Sequence, residues 1–226
     1  LTENLVFNLF RIGQAQSNVL IFESENETRN GNDLEIIIHK NGQLVCFLPT
    51  QAKILHTNNK YPTISHKVNS IYQIESLIRY SNLHGGIPLH LLYNYYAATP
   101  TLTMYGAALV NANYIKHNFF PLNPNINWKI PSFSELCPSN AIPISWLCRL
   151  CNSLNISDFA IFNGLDRLPT PNITSNNWRL IDAVNELNPN NNQELISNND
   201  CSFNPKYRIQ IEVPNENRGD GPTCST

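Results

Sequence analysis

Two runs of β-favouring residues joined by Asn41-Gly42 restrict the fold of this chain more than any other feature. The first run covers residues 34–39 and is rich in isoleucine, and the second covers about 44–55. Asn-Gly is favoured in two-residue hairpin turns, because both central residues need a positive φ. We therefore predict an antiparallel hairpin of neighbouring strands. Pro49 cannot donate a ladder hydrogen bond, so we expect a bulge or a bend in the second strand there.

Periodic segments on both sides of the hairpin indicate a mixed α/β fold. A helix is predicted from Thr2 to about Gly13, followed by a strand at 19–23. After the hairpin, apolar spacing predicts a helix at 70–82 and a strand at 87–93, apolar on both faces. Because two parallel strands need a crossover connection, this helix would deliver the last strand beside the hairpin. The expected order is α-β-β-β-α-β.

The pattern is looser after residue 96, where we expect a largely helical C-terminal elaboration. The predicted elements there are helices at about 104–115, 143–154 and 177–187 and a strand at about 207–213. We therefore divide the chain into a core at 1–96 and an elaboration at 97–226 that packs on it and ends in a polar tail.

Composition excludes several classes of protein. The net charge is −2 and charged residues make up 14% of the chain, against roughly 25% in an average soluble domain. About 35 asparagines make the surface polar without charge, so a polycation held to nucleic acid by bulk charge is excluded. We find no apolar run of the roughly 18 residues that span a bilayer, and no signal segment. We therefore expect a cytoplasmic protein without membrane contact, whose six cysteines are reduced.

Four polar residues at the strand ends of the hairpin form the candidate site. Asp33 and Glu35 open the first strand, and Gln51 and Lys53 close the second. Side chains alternate between the faces of a strand, so each pair shares a face, and the hairpin makes the two strands neighbours. Carboxylates and an amide suit a hard divalent cation, and a lysine can offset charge on phosphate. The arrangement would suit metal-assisted phosphodiester hydrolysis, although the same four residues also occur together by chance.

Charge is unevenly distributed around these residues. Residues 23–35 hold five of the 17 acids, whereas residues 36–117 hold six bases and one acid. Crowded carboxylates repel each other unless a cation relieves them, and an adjoining basic surface would attract phosphate. The alternative is that these are solvated residues at strand ends, which are commoner than sites.

With these elements, residues 1–95 resemble the restriction-endonuclease-like PD-(D/E)XK nucleases in their Q-x-K variant, which is similar to the nucleases that restrict modified DNA. In more detail, the chain looks like a bacterial family of uncharacterised phage-defence proteins. The residues that carry this resemblance are Gly31-Asn-Asp33-Leu-Glu35, Gln51-Ala-Lys53, Gln73-Ile-Glu-Ser-Leu-Ile and Ile87-Pro-Leu-His-Leu-Leu-Tyr-Asn94.

The resemblance implies a role for each matching residue. Asp33 would be the principal metal ligand, and Gln51 would replace the usual second carboxylate. Lys53 would be the catalytic lysine, which activates water or stabilises the phosphorane. Gln73, on the helix, would be an auxiliary residue of the site.

The same resemblance implies a complete metal site and a substrate. The Ala52 carbonyl would also bind Mg²⁺ or Mn²⁺, and Glu35 would support the metal. The upstream acid of the core is Glu23 or Glu27, of which Glu27 fits better because it lies six residues before Asp33. The expected activity is hydrolysis of nucleic acid, DNA before RNA, in anti-phage defence. A homodimer or a second defence protein is left open as a partner.

Two other functions are weighed against the nuclease. One is a catalytically inactive nucleic-acid-binding or scaffold protein on the same fold, in which a bent second hairpin strand has misplaced Lys53. The other is a zinc module built on Cys148 and Cys151, although their spacing suits the apolar face of a helix. We interpret His90, inside an apolar strand, as a hydrogen-bonded core residue.

Overall fold

The computed structural model describes residues 5–6, 19–24, 33–94, 103–120, 128–147, 161, 168–173, 178–181 and 205–213. Leu5 and Val6, which lie within the predicted first helix, are helical, and the rest of that helix lies outside the described residues. Within the described segments, no helix is long and apolar enough to cross a membrane.

Strands dominate the described part of the chain. They are β1 (Val19–Ser24), β2 (Asp33–Lys40), β3 (Gln43–Ile54), β4 (Lys67–Val68), β5 (Ile71–Tyr72), β6 (Leu89–Tyr93), β7 (Ala107–Asn111), β8 (Ala141–Pro143), β9 (Trp178–Leu180) and β10 (Tyr207–Val213). The helices are α1 (Gln73–Leu83), α2 (Ala112–Phe119) and the short α3 (Phe133–Leu136), with 3-10 turns at Pro62–Ser65, Thr103–Gly106 and Ile144–Trp146.

Eight of these strands form one mixed sheet in the order β8-β7-β6-β3-β2-β10-β1-β9. The β3–β6 and β2–β10 pairs are parallel, and the other neighbours are antiparallel. Helix α1 connects β3 to β6, as a crossover between parallel strands requires. The predicted mixed α/β class is confirmed, and the division of the chain at residue 96 stays a prediction.

The hairpin is formed as predicted, but the expected distortion at Pro49 is absent. Asn41 and Gly42 adopt φ values of 56° and 72°, and the irregularity in the β2–β3 ladder lies between Ile38 and His39. Pro49 is paired in register with Glu35, and the parallel ladder with β6 begins one residue later. A Cβ on Gly86 would lie 2.8 Å from Cδ of Pro49, so the proline ring packs where only glycine fits. The second strand therefore stays in phase as far as Lys53.

Two of the helices predicted in the C-terminal half are wrong within the described residues. The one at about 104–115 is wrong in its first part, and the one at about 177–187 is wrong where it is described. Residues 107–111 form β7, and helix α2 starts only after Asn111, whose side chain accepts a hydrogen bond from the Asn113 amide (2.8 Å). Asn111 is therefore the N-cap of α2. The helix starts eight residues later than the position about 104 that apolar spacing predicted. Residues 178–180 form β9 instead of a helix.

The remaining elements of that half are settled in part. The predicted helix at 143–154 begins as a 3-10 turn after β8, and Cys148 and Cys151 lie outside the described residues. The predicted last strand is confirmed as β10. It pairs with both β2 and β1 and so lies inside the sheet.

Each face of the sheet carries its own hydrophobic core. Leu48 belongs to the core on one face, together with Ile36 and Leu91. Leu55 belongs to the core on the other face, which α1 covers with Ile74 and Leu77. Because Gln51 and Lys53 alternate in phase with Leu55, they lie beneath α1.

Candidate active site

The α1-covered face brings polar residues from neighbouring strands together. Asp33 pairs with Gln51 across β2 and β3, and Gln51 pairs with His90 across β3 and β6. Paired residues of adjacent strands lie on the same face of the sheet. Positions 33, 51 and 90 are therefore lateral neighbours, and Lys53 lies two residues beyond Gln51 on the same strand. The side chain of Asp33, and all of Glu27, lie outside the described part of the structure.

Lys53 is held by the first residue of α1. Its side chain is buried (4% exposed), and its Nζ donates a hydrogen bond of 3.0 Å to Oε1 of Gln73. Gln73 is fixed in turn because its backbone amide donates to the carbonyl of His66 (3.0 Å). Since a buried ammonium is costly unless it is paired, the helix start stabilises this lysine under the sheet. Lys53 and Gln73, which the resemblance assigns to one site, are thus in contact, and their roles in that site stay a prediction.

Gln51 carries an unpaired acceptor in the interior. The residue is 4% exposed, and its Oε1 has no hydrogen-bond partner within the described chain. Leaving a buried acceptor unsatisfied costs on the order of 1–3 kcal/mol. Most buried polar atoms find a partner, so such an oxygen is a recognised sign of a missing ion, water or ligand. A divalent cation is one species that would satisfy it.

His90 lies beside Gln51 and was not predicted as a site residue. It is fully buried, and neither ring nitrogen has a hydrogen-bond partner among the described residues. The residue is therefore buried as that interpretation expects. Burial, and to a smaller extent the Lys53 charge, lower the pKa of His90 to about 3, so the ring is neutral at neutral pH. The ring lies close enough to the Gln51 backbone to oppose this fall in its pKa, but the geometry makes no full hydrogen bond at either ring nitrogen. Only the parallel register of β3 and β6 reveals its proximity to Gln51.

Glu35 is committed to a buried ion pair. Its Oε2 accepts a hydrogen bond of 2.8 Å from Nε of Arg208 and lies 2.8 Å from Nη2 of the same guanidinium. Its Oε1 accepts a hydrogen bond of 2.5 Å from the Tyr80 hydroxyl. Both side chains of the ion pair are buried, Glu35 completely. Burial and the neighbouring Glu35 carboxylate raise the pKa of Tyr80. Glu35 therefore links β2 to α1 and β10, with a hydrogen bond at each oxygen.

A partly exposed aromatic and basic surface adjoins the first turn of α1. Tyr72 precedes Gln73, and its ring lies 5.1 Å from that of Phe120 and 4.3 Å from Nζ of Lys67. On the helix itself, Glu75 forms an ion pair of 3.4 Å with Lys116. Lysines and aromatic rings so placed can contact phosphates and bases.

The cysteine and metal predictions are tested only in part. Cys46 and Cys137 are buried, and burial raises the pKa of Cys137 to about 12, which keeps it a thiol. Cys148, Cys151 and Cys201 lie outside the described residues. No three His, Cys, Asp or Glu side chains in the described segments are grouped to hold a metal.

Comparison with known proteins identifies a family for nearly the whole chain. A family model described as "Family of unknown function (DUF6615)" matches residues 1–217. The chain belongs to this family. The match includes β2, β3, α1, β6 and β10, the elements that carry the polar cluster beneath α1. No significant match was found among curated proteins or among solved structures.

Proposed function

We propose that this protein is a divalent-metal-dependent nuclease that hydrolyses phosphodiester bonds of nucleic acid, DNA before RNA. One observation carries the proposal. Lys53 is buried and bonded to Gln73, and it lies two residues after Gln51 on the same face of β3. The buried side-chain oxygen of Gln51 has no hydrogen-bond partner in the described segments, and Asp33 is the register partner of Gln51 on β2. An ammonium beside an oxygen that lacks a partner suits charge stabilisation at a phosphate next to a cation.

The fold supports a PD-(D/E)XK core of the Q-x-K variant through its central elements. The β2–β3 hairpin, the crossover helix α1 and the parallel strand β6 follow in the expected order. The Q-x-K residues end the second hairpin strand, and Gln73 contacts the lysine. One departure concerns β1, which pairs with β10 and β9, so that β10 separates it from β2.

The residues present fit a hard divalent cation. Gln51 Oε1 is an oxygen donor without a partner, and Asp33, the Ala52 carbonyl and Glu27 complete the proposed oxygen set for Mg²⁺ or Mn²⁺. When bound, the ion supplies Lewis acidity toward the phosphoryl group and a more acidic water. Glu35 contributes by fixing β2 through its ion pair with Arg208.

Lys53 and Gln73 position an ammonium group in the proposed site. Gln73 Oε1 accepts a hydrogen bond from one of the three N–H groups of Lys53 and so orients the ammonium. An oriented ammonium can hold the attacking water or offset negative charge that grows on the phosphate oxygens. The Lys67 and Tyr72 surface beside α1 supports nucleic acid as the substrate. A role in anti-phage defence rests on the family resemblance of the sequence alone.

The decisive experiment is a cleavage assay with matched variants. Supercoiled plasmid, single-stranded DNA and RNA are incubated with Mg²⁺, Mn²⁺ or EDTA and the wild type, Asp33→Ala, Lys53→Ala or Lys40→Ala. Lys40 lies at the turn end of β2 and serves as the charge-matched control. We expect metal-dependent cleavage that falls roughly 100-fold or more in the first two variants only. Cleavage that survives both substitutions would refute the site assignment.

The burial of Lys53 and the ion pairing of Glu35 favour a second candidate, a nucleic-acid-binding or scaffold protein without catalysis. This candidate predicts that no metal and no substrate in the same assay gives cleavage, while the wild type still retards DNA in EDTA. Retardation that requires Lys67 but tolerates Asp33→Ala would separate the binding protein from the nuclease.

A further inference from the structure

Two buried residues with unpaired polar atoms are register partners on the sheet face beneath α1. The atoms are Oε1 of Gln51 and both ring nitrogens of His90, and none has a hydrogen-bond partner in the described segments. The two residues are register partners on parallel strands, whose backbones are roughly 4.8 Å apart. Two unsatisfied side chains at one register position are a stronger sign of a missing ligand than either alone.

The chemistry of the three atoms limits what can satisfy them. The Gln51 oxygen is an acceptor only, and a neutral imidazole offers one acceptor nitrogen and one N–H. The ring N–H could donate to the Gln51 oxygen, but no such bond is formed. A cation bound by the oxygen and by the lone pair of the ring would satisfy two of the three atoms at once.

We propose that His90 is a nitrogen ligand of the metal ion that Gln51 binds, which makes the site selective for Mn²⁺ or a similar transition metal over Mg²⁺. The inference rests on the proposed nuclease function and adds the identity of its metal. Mg²⁺ prefers oxygen ligands and binds imidazole poorly, whereas imidazole suits first-row transition metals. The Q-x-K variant then gains from β6 a donor that offsets the weakness of a neutral amide.

The inference is tested by the binding of metal ions to protein without a polyhistidine tag, stripped with EDTA. Mn²⁺ and Mg²⁺ affinities are measured by equilibrium dialysis, and electron spin echo modulation detects nitrogen bound to Mn²⁺. The samples are the wild type, His90→Asn and the control His39→Asn, which lies at the turn end of β2. Wild type labelled with a heavy nitrogen isotope in histidine gives the same information without any substitution that risks misfolding.

We expect nitrogen modulation in the wild type and in His39→Asn, a change in it on labelling, and its loss in His90→Asn. Loss of a residue that only supports a metal ligand lowers metal affinity roughly 10- to 100-fold. Loss of a direct ligand in His90→Asn should therefore lower Mn²⁺ affinity by at least that factor and leave Mg²⁺ affinity nearly unchanged. Bound Mn²⁺ without histidine nitrogen would overturn this inference and leave the nuclease proposal standing. Binding of neither ion, with no cleavage, would overturn both.

Discussion

Removal of Arg208 should destabilise the protein far more than removal of an exposed arginine in a similar ion pair. Arg208→Met keeps most of the side-chain volume but leaves Glu35, which is completely buried, with only the Tyr80 hydroxyl as a described partner. Breaking a buried ion pair on one side typically costs about 3–5 kcal/mol, because the remaining charge stays in the interior. For a chain of this length that corresponds to a fall in melting temperature of roughly 6–20 °C.

The matched control is Arg179→Met on β9. Arg179 pairs with Glu23 at 2.9 Å, the same kind of contact, but its side chain is 54% exposed. Solvent screens such a pair, so its loss should cost no more than about 1 kcal/mol. The free energy of unfolding is measured by urea denaturation followed by tryptophan fluorescence and far-UV circular dichroism, for each single variant.

A double-mutant cycle separates the ion pair from packing. Glu35→Leu together with Arg208→Met removes both charges. The double variant should therefore be much more stable than the sum of the two single-variant losses in unfolding free energy predicts. We expect a coupling energy of about 2 kcal/mol or more. The reasoning is refuted if the two single substitutions are additive, or if Arg208→Met costs no more than Arg179→Met.

Three further predictions concern the site and its support. Burial lowers the pKa of His90 to about 3, whereas in the unfolded chain the ring binds a proton below about pH 6.5. Because the unfolded state binds this proton more readily, stability should fall on acidification, by about 2 kcal/mol at about pH 5. The variant His90→Leu should remove this loss in urea titrations. An unchanged pH slope in that variant would contradict the burial argument. Gln51→Leu in EDTA should cost less than about 1 kcal/mol, because it removes an acceptor without a partner, yet it should abolish metal-induced thermal stabilisation; equal stabilisation of wild type and variant would be the opposite result. Gly86→Ala should lower stability by about 1–3 kcal/mol, because the new Cβ would lie 2.8 Å from atoms of Phe47 and Pro49, and a neutral effect on the unfolding midpoint would show that β3 yields there.

Predictions that depend on near neighbours in the chain agree with the structure. The Asn41-Gly42 turn has both residues at positive φ, and β2 and β3 flank it. Strand alternation then places Gln51 and Lys53 on one face, and helical spacing predicts α1. Local backbone geometry and a hydrophobic period determine these features, and both are written in consecutive residues.

Predictions failed where a short apolar segment had to choose between helix and strand. Residues 107–111 carry apolar side chains that suit either, and pairing with β6 and β8 makes them a strand. Asn111 then caps α2, a signal that lies inside the helix predicted from apolar spacing. Five residues are too few for periodicity to distinguish the two, so partners distant in sequence decide.

By itself the sequence determined the hairpin and the shared face of Gln51 and Lys53, because these follow from turn chemistry and strand alternation. The pairing of Asp33 with Gln51 depends on the irregularity between Ile38 and His39, which shifts the ladder by one residue and has no signal in the turn. Only the tertiary structure placed β10 between β1 and β2, which brings Arg208 to Glu35 across 173 positions of sequence. It alone also set His90 beside Gln51, since a parallel pair leaves no local sign of its register. Contacts between strands distant in sequence arise from the burial of whole faces, which no short window of residues records.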